Sequence, residues 1–187
     1  MTIEEIFTHF PRLETERLVL RQIQASDANA MFAFFSDEDV IDLDEKRHRS
    51  VEESAAFIRQ LQAWYQERKN VEWGITRKGS DLLLGTCGFY AFDEGFQRAD
   101  IGYELLKSCW RQGIMSEALS AILTFAFSVM GLHRIDAVVY AWNERSQGIL
   151  RKLGFVHEGT LRQRFFFHEH FWDEHHFGLL REEWKPS

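Results

Sequence analysis

The spacing of apolar residues along the chain predicts a regular succession of strands and helices. From Arg98 to Leu106 apolar and polar positions alternate, so Ala99 and the odd-numbered residues that follow face one side of a predicted strand. From Met115 to Met130 apolar residues recur three or four positions apart, which indicates an amphipathic helix. Gly131 follows as a natural helix stop. This strand and this helix are the clearest elements in the pattern.

The remaining elements complete a mixed architecture. Further strands are predicted at residues 18–23, 71–77, 82–92, 134–142, 155–167 and 171–180. Further helices are predicted after Ser26 as N-cap, from a capping box at Ser50 to Glu53 as far as about Lys69, and from Asn143 as N-cap to a stop at Gly154. In the first of these helices the apolar face consists of Ala28, Met31, Phe32 and Phe35. The resulting order, β-α-α-β-β-β-α-β-α-β-β, predicts an α/β or α+β fold with helices on both sides of a mixed sheet.

Composition narrows the class of protein. The 187 residues are 45% hydrophobic, and the only prolines, Pro11 and Pro186, lie near the termini, so we expect one domain over residues 1–187. The net charge of −7 comes without a basic run, which disfavours a nucleic-acid partner and agrees better with a cationic substrate.

Targeting and redox signals are weak in this chain. Cys87 and Cys109 form no CxxC pair, and no signal-peptide pattern or membrane-spanning apolar run occurs. We therefore expect a cytoplasmic protein with no membrane partner.

The segment Trp110-Arg111-Gln112-Gly113-Ile114-Met115, which opens the strongest helix, is a candidate anion site. A helix N-terminus presents unpaired N–H groups and partial positive charge, Gly113 permits close approach, and Arg111 adds a formal charge. An ordinary strand-to-helix turn explains the same residues. The segment lacks the Gly-Lys-Ser/Thr of a Walker loop, and its single glycine does not make a dinucleotide fingerprint.

Several motifs in fixed order resemble one family. They are Thr15-Glu16-Arg17-Leu18-Val19-Leu20-Arg21, Ile101-Gly102-Tyr103-Glu104-Leu105, Trp110-x-x-Gly113-Ile114-Met115-Ser116-Glu117-Ala118, Asn143-x-x-Ser146 with Lys152-Leu153-Gly154-Phe155, and Glu158-Gly159 with Asp173. Together they resemble the GNAT acetyltransferase superfamily and, within it, the RimJ/RimL branch of ribosomal-protein N-terminal acetyltransferases. The similarity covers roughly residues 13–182.

This resemblance implies a GNAT fold with a mostly antiparallel sheet of six to seven strands, in which strand 98–106 splays from strand 134–142. It also implies acetyl-CoA as cofactor, with a backbone N–H near Leu105 polarising the acetyl carbonyl. The implied cofactor-binding residues are Leu105, Leu106, Trp110, Arg111, Gln112, Gly113, Ile114, Met115, Ser116, Asn143 and Ser146. Ser146 matches the position proposed in relatives to protonate the departing thiolate.

A general base is less clearly marked. Asp100 and Glu104 share one face of the splayed strand and are the best candidates, although exposed strand carboxylates are an equal interpretation. RimL-like relatives carry a glutamate in the closing hairpin where this chain has Phe165. We expect Glu117 to be a structural carboxylate at the helix start.

The resemblance implies a primary amine as acceptor, and three functions stay open. The resemblance suggests a protein N-terminus, a polyamine or other small cationic amine is the alternative, and a non-catalytic acyl-CoA sensor is a third. The acidic stretch 37–45 is a candidate contact for a cationic acceptor.

Two clusters near the C-terminus are rich in histidine and in aromatic residues, and one of the histidines is a candidate to line the acceptor pocket or relay a proton. We expect no metal at His157, His168, His170, His175 and His176, because no third ligand has a recognisable spacing. The aromatic residues from Phe165 to Phe177 are interpreted as packing, with a substrate wall or a homodimer contact as alternatives.

Overall fold

A computed structural model describes residues 3–41, 46–93, 97–167 and 169–186. Its strands are β1 (Leu13–Glu14), β2 (Leu18–Gln22), β3 (Asn70–Arg77), β4 (Gly85–Asp93), β5 (Arg98–Leu105), β6 (Arg134–Tyr140), β7 (Val156–Phe167) and β8 (His170–Leu180). Its helices are α1 (Ile3–Thr8), α2 (Ala28–Phe35), α3 (Val51–Gln66), α4 (Ile114–Phe125) and α5 (Glu144–Lys152). No helix in these described ranges is long and apolar enough to cross a membrane.

The strands form one mixed sheet in the order β1-β2-β3-β4-β5-β6-β8-β7. Strands β5 and β6 pair in parallel, and the other described pairs are antiparallel. The parallel pairing ends at Asp100 opposite Asp136, so the two strands diverge beyond that point. The splay expected from the sequence is therefore present, and it opens a gap in the middle of the sheet.

Two apolar clusters hold helices against opposite faces of the sheet. The larger one packs α4 on residues such as Trp73 and Phe89, which are fully buried. The smaller one packs α2 and α3 together with Ile23 and Leu83. Burial of this extent supplies most of the favourable free energy of folding.

Helix α4 continues into a π-helical turn, Ala126–Met130, and ends at Gly131 with a φ of 77°. The predicted glycine stop is confirmed, because this left-handed conformation favours a residue without Cβ.

The N-terminal region differs most from the predicted elements. Helix α1 and strand β1 are absent from the predicted order, and β1 brings the sheet to eight described strands. A two-residue strand is too short to show periodicity, so the pattern could not reveal it.

Ser26 is not the N-cap of the first predicted helix. It lies inside a 3₁₀ turn at Ala25–Asp27, and the backbone N–H of Gln24 donates to the Asp27 carboxylate at 2.7 Å. The same carboxylate, 5% exposed, binds the Arg21 guanidinium through two contacts of 2.8 Å. The helix starts at Ala28, after this turn, and Phe34 is buried where Phe32 was expected.

Candidate active site

Two cavities meet in the gap between β5 and β6. The larger has a volume of about 760 Å³ and lies between β5, the start of α4 and α5. The smaller, about 200 Å³, lies between the diverging strands. The residues lining both cavities are Val40, Tyr103, Glu104, Asn143 and Ser146. The junction therefore brings together three sequence-predicted residues from two distant motifs.

The larger cavity ends at the N-terminus of α4, where the backbone conformation is suitable for binding an anion. Gly113 occupies the N-cap with a φ of 76°, and Arg111 also has a positive φ, 60°. Glycine has no side chain to cap the first N–H groups of the helix, and Ile114, Met115 and Ser116 at this helix start line the cavity.

Basic side chains surround this cavity although the protein is acidic. Its lining includes Lys107, Arg111, Arg145 and Lys152. Cations next to an uncapped helix start fit the phosphate groups of coenzyme A in both charge and placement.

Glu117, in the first turn of α4, ties this loop to the N-terminal strands. Its carboxylate accepts hydrogen bonds from Thr15 Oγ1 at 2.5 Å, the Arg17 N–H at 2.9 Å and Arg17 Nε at 2.6 Å. Although burial alone raises the pKa of a carboxyl, these hydrogen bonds lower the pKa of Glu117. Arg17 Nη1 in turn donates to the Gln112 carbonyl at 3.1 Å. These contacts give Glu117 the structural place that the sequence predicts.

Two predicted cofactor contacts do not reach the cavities. The Leu106 N–H donates to the Leu84 carbonyl at 2.9 Å, and the Leu106 carbonyl accepts from Cys109. The Gln112 side chain donates to the Ser108 carbonyl and accepts from Arg77. Neither residue is part of the described lining of the two cavities.

Leu105 presents its backbone to the gap. Successive N–H groups of a strand point to opposite neighbours, and that of Leu106 points to β4, so that of Leu105 points away from β4. The Leu105 carbonyl on this side accepts a hydrogen bond from Trp110 Nε1 at 2.8 Å. Strand divergence therefore leaves a backbone donor directed into the cavity.

Tyr103 and Ser146 form a hydroxyl pair at the junction, with their oxygens 2.6 Å apart. Burial raises the pKa of Tyr103 to about 12, so its phenol stays protonated at neutral pH. Asn143 positions Ser146, because its Oδ1 accepts the Ser146 N–H at 3.0 Å as the cap of α5. Sequence reasoning missed Tyr103 as a site residue, although it adjoins Glu104 in the quoted motif.

The two base candidates occupy different environments. Glu104 lies at the junction, and its Oε2 accepts a hydrogen bond from Thr86 Oγ1 at 2.9 Å. Burial raises the pKa of Glu104, against the opposing effects of the Thr86 hydrogen bond and the Lys46 charge. Asp100 lies where β5 and β6 are still paired and is outside the described cavity lining. Burial raises its pKa as well.

The acidic stretch contributes to the rim of the cofactor side. Asp39 forms an ion pair with Lys107, and its carbonyl accepts from Arg145 at 2.9 Å. The Arg145 guanidinium lies 3.8 Å from the centre of the Trp110 ring. Asp39 is thus engaged by cations of its own chain, whereas residues 42–45 of the predicted acceptor contact lie outside the described residues.

The C-terminal hairpin carries aromatic and histidine contacts but, in its described part, no metal cluster. His157 and His175 each hydrogen bond Thr160, and His168 lies outside the described residues. No group of three or more His, Cys, Asp or Glu side chains in the described ranges has the arrangement of a metal site. The ring centres of Phe165 and Tyr140 are 4.8 Å apart, and Tyr140 lines the smaller cavity.

Comparisons with known proteins place this geometry in a family. The sequence model described as "Acetyltransferase (GNAT) domain" matches residues 17–156. An uncharacterized N-acetyltransferase of Bacillus subtilis, YoaA, is 44% identical over 155 residues, which cover 82% of this chain and 88% of that protein. The [ribosomal protein uS5]-alanine N-acetyltransferase of Escherichia coli is 24% identical over 185 residues, 94% of each chain.

A solved structure agrees with the fold. The GNAT-family acetyltransferase of Bacillus anthracis superposes with a TM-score of 0.81 at 26% identity, over 92% of this chain and all of that one. The fold, the enzyme class and the resemblance predicted from the sequence are confirmed. The chain belongs to the GNAT family of N-acetyltransferases, which use acetyl-CoA as acetyl donor.

Proposed function

We propose that this enzyme acetylates a primary amine at the junction of the two cavities, and that the acceptor is the α-amine of a protein N-terminus. The observation that carries the proposal is the junction itself. A large cavity with basic lining and a small cavity with Glu104 meet at the backbone of β5. The cofactor and the acceptor can therefore approach one another from opposite sides of the gap.

Residues of the α4 loop hold the cofactor in this proposal. The N–H groups of Arg111 and of residues 113–116 bind the pyrophosphate, and the basic lining compensates the remaining phosphate charge. Acetyl-CoA supplies the acetyl group as an activated thioester. The Leu105 N–H donates a hydrogen bond to the acetyl oxygen, on which negative charge develops as the amine attacks.

Glu104 is the proposed base. An ammonium has no lone pair, so Glu104 accepts one proton from it and leaves the neutral amine to attack the acetyl carbon. The raised pKa of Glu104 brings its basicity closer to neutral pH, where proton acceptance is effective.

The hydroxyl pair acts on the leaving group. As the bond between the acetyl carbon and sulfur breaks, Ser146 donates its proton to the sulfur and takes one from Tyr103 across their 2.6 Å contact. The proton that the acetylated nitrogen loses returns to Tyr103 through water, which restores the pair. Asn143 keeps Ser146 at the junction through the helix cap.

The size of the smaller cavity and one relative support a protein acceptor. A cavity of about 200 Å³ is below the roughly 300–1,000 Å³ of sites that enclose a whole small ligand, so it suits the reacting end of a larger molecule. The Escherichia coli relative is named for acetylating an alanine of ribosomal protein uS5.

An acceptor screen tests the proposal. Purified enzyme with acetyl-CoA is offered N-terminal peptides, polyamines and aminoglycosides, and thiol release is measured with Glu104→Gln and Ser146→Ala as controls. We expect peptides to give the highest kcat/KM and Glu104→Gln to lower kcat by about 10²- to 10⁴-fold. Faster turnover of polyamines would reject the protein acceptor, and tight cofactor binding without turnover of any amine would indicate a sensor.

A further inference from the structure

Glu72 is a second carboxyl near the proposed base, in the middle of strand β3. Its neighbours in β3, Val71 and Trp73, are fully buried on the opposite face. A Cβ added at Gly88 would lie 2.3 Å from Glu72 Oε2. The absence of a side chain at position 88 therefore makes room for this carboxyl inside the sheet layer.

Thr86 connects Glu72 to Glu104 across three adjacent strands. Its hydroxyl donates to Glu104 Oε2 at 2.9 Å, and the pairing of Glu72 with Gly88 and of Thr86 with Glu104 places the Glu72 side chain on the same face of the sheet. A threonine hydroxyl has a single hydrogen. Because that hydrogen is donated to Glu104, Glu72 can hydrogen bond the Thr86 oxygen only by carrying a proton and donating it.

The surroundings decide which carboxyl is charged. Two carboxylates in one poorly hydrated place repel each other, so one of them retains a proton. Glu104 reaches both cavities and feels the positive charge of Lys46, whereas Glu72 is outside the described cavity lining. Burial and the Glu104 charge raise the pKa of Glu72 well above its ordinary value.

The other titratable groups facing the pair do not change this assignment. They are Lys46, Tyr90, Tyr103 and Cys87. Burial raises the pKa of both tyrosines to about 12 and the pKa of Cys87 well above its ordinary value, so these three groups are neutral at neutral pH. Lys46 is the remaining charge, and it favours an ionised Glu104.

We infer that Glu72 is a positioning residue that stays neutral and, through the Thr86 hydroxyl, keeps Glu104 ionised and aimed at the acceptor amine. This inference rests on the proposed function, in which Glu104 is the base. In the resting pair one proton sits on Glu72, and the proton taken from the acceptor ammonium goes to Glu104. Both carboxyls are then neutral until Glu104 releases its proton to solvent.

The first test measures Glu72 directly and needs no activity. Glutamate side-chain carboxyl carbons are labelled with ¹³C and titrated by NMR, and Glu72→Gln identifies the Glu72 signal by its disappearance. We expect this signal to remain protonated at pH 7 in the wild-type enzyme. A Glu72 signal that titrates near the ordinary glutamate pKa of about 4.3 would overturn the inference.

The second test follows the acid limb of the kcat/KM profile against pH, which reports the ionisation of the base in the free enzyme. Thr86→Val removes the donor to Glu104, so the limb should move to higher pH by about one unit, and Thr86→Ser should restore it. Glu72→Gln keeps a neutral donor, so the limb should move by less than about half a unit.

The outcomes separate this inference from the proposed function. If the acid limb of Glu72→Gln lies more than about one pH unit lower than that of the wild type, Glu72 was charged and the inference is wrong. If the acid limb of Thr86→Val does not move, the Thr86 hydroxyl does not act on Glu104. Full activity in Glu104→Gln would reject Glu104 as the base, whatever the NMR titration of Glu72 shows. If Thr86→Val fails to fold, Thr86→Ala, which also removes the hydroxyl, and the NMR titration of Glu72 still decide.

Discussion

Replacing Glu117 with glutamine should weaken both the fold and the cofactor loop. The amide keeps one acceptor oxygen but loses the negative charge that strengthens the hydrogen bonds from Thr15 and Arg17. Hydrogen bonds to a charged group contribute about 1.5–3 kcal/mol when shielded, but the Arg17 side chain is 44% exposed, so its share is small. We therefore expect a loss of about 2 kcal/mol, or roughly 4–8 °C in Tm for a chain of this length.

Denaturant unfolding of wild type and Glu117→Gln at pH 7 and pH 4 measures this effect. Because the folded-state pKa of Glu117 is lowered, its contribution is complete above the unfolded pKa of about 4.3 and disappears as the pH falls through the folded pKa. The difference between the two proteins should therefore shrink at pH 4. Glu182→Gln, the same change at an exposed carboxylate, is the matched control.

The cofactor loop gives a second readout of the same variant. Arg17 also holds the Gln112 carbonyl, so its release should cost about 1 kcal/mol of coenzyme A binding, roughly fivefold in Kd by calorimetry. Equal stability of the two proteins at pH 7 would refute the reasoning, because it would mean that the hydrogen bonds to the Glu117 carboxylate contribute nothing.

Two further substitutions test the loop and the start of α2. Gly113→Ala places a Cβ at a φ of 76°, which costs about 1–2 kcal/mol, and calorimetry should show coenzyme A binding weakened by about five- to thirtyfold. Gly131→Ala introduces the same strain at the far end of the helix and should lower Tm without changing Kd; equal Kd losses in both would contradict a local effect. Asp27→Asn leaves Arg21 without its buried partner and should lower the unfolding free energy by about 3–5 kcal/mol, measured in urea. A loss below about 1 kcal/mol would show that the pair is effectively solvated.

The local structure of the proposed cofactor side could be predicted because its determinants are local in the chain. Gly113 has to adopt a left-handed conformation immediately before a helix, and Asn143 caps the helix that carries Ser146. Each signal spans only a few residues, so it can be recognised in a single sequence. Leu106 and Gln112 lie outside the described cavity lining because of the direction in which one N–H and one amide point, and a sequence pattern carries no such direction.

The acceptor side could not be predicted because its contacts join distant strands. Tyr103 and Ser146 are 43 positions apart, and Glu72 meets Glu104 only through the register of three strands. Asp100 and Glu104 look equivalent in the alternating pattern, yet the strands part between them. Their different surroundings follow from the sheet topology, and the alternation of apolar and polar residues gives no information about that topology.

The divergence of β5 from β6 has a consequence for how this enzyme tolerates mutation. The donor proposed to face the acetyl oxygen belongs to the peptide bond at Leu105, and nineteen of the twenty amino acids provide the same N–H. Side-chain scanning at this position would report only packing, since Leu105 is also a buried core residue. Whether this N–H is free depends on the position at which β5 and β6 stop pairing. Substitutions that shift the register of these strands would therefore remove the donor, even when they lie far from Leu105 in the sequence.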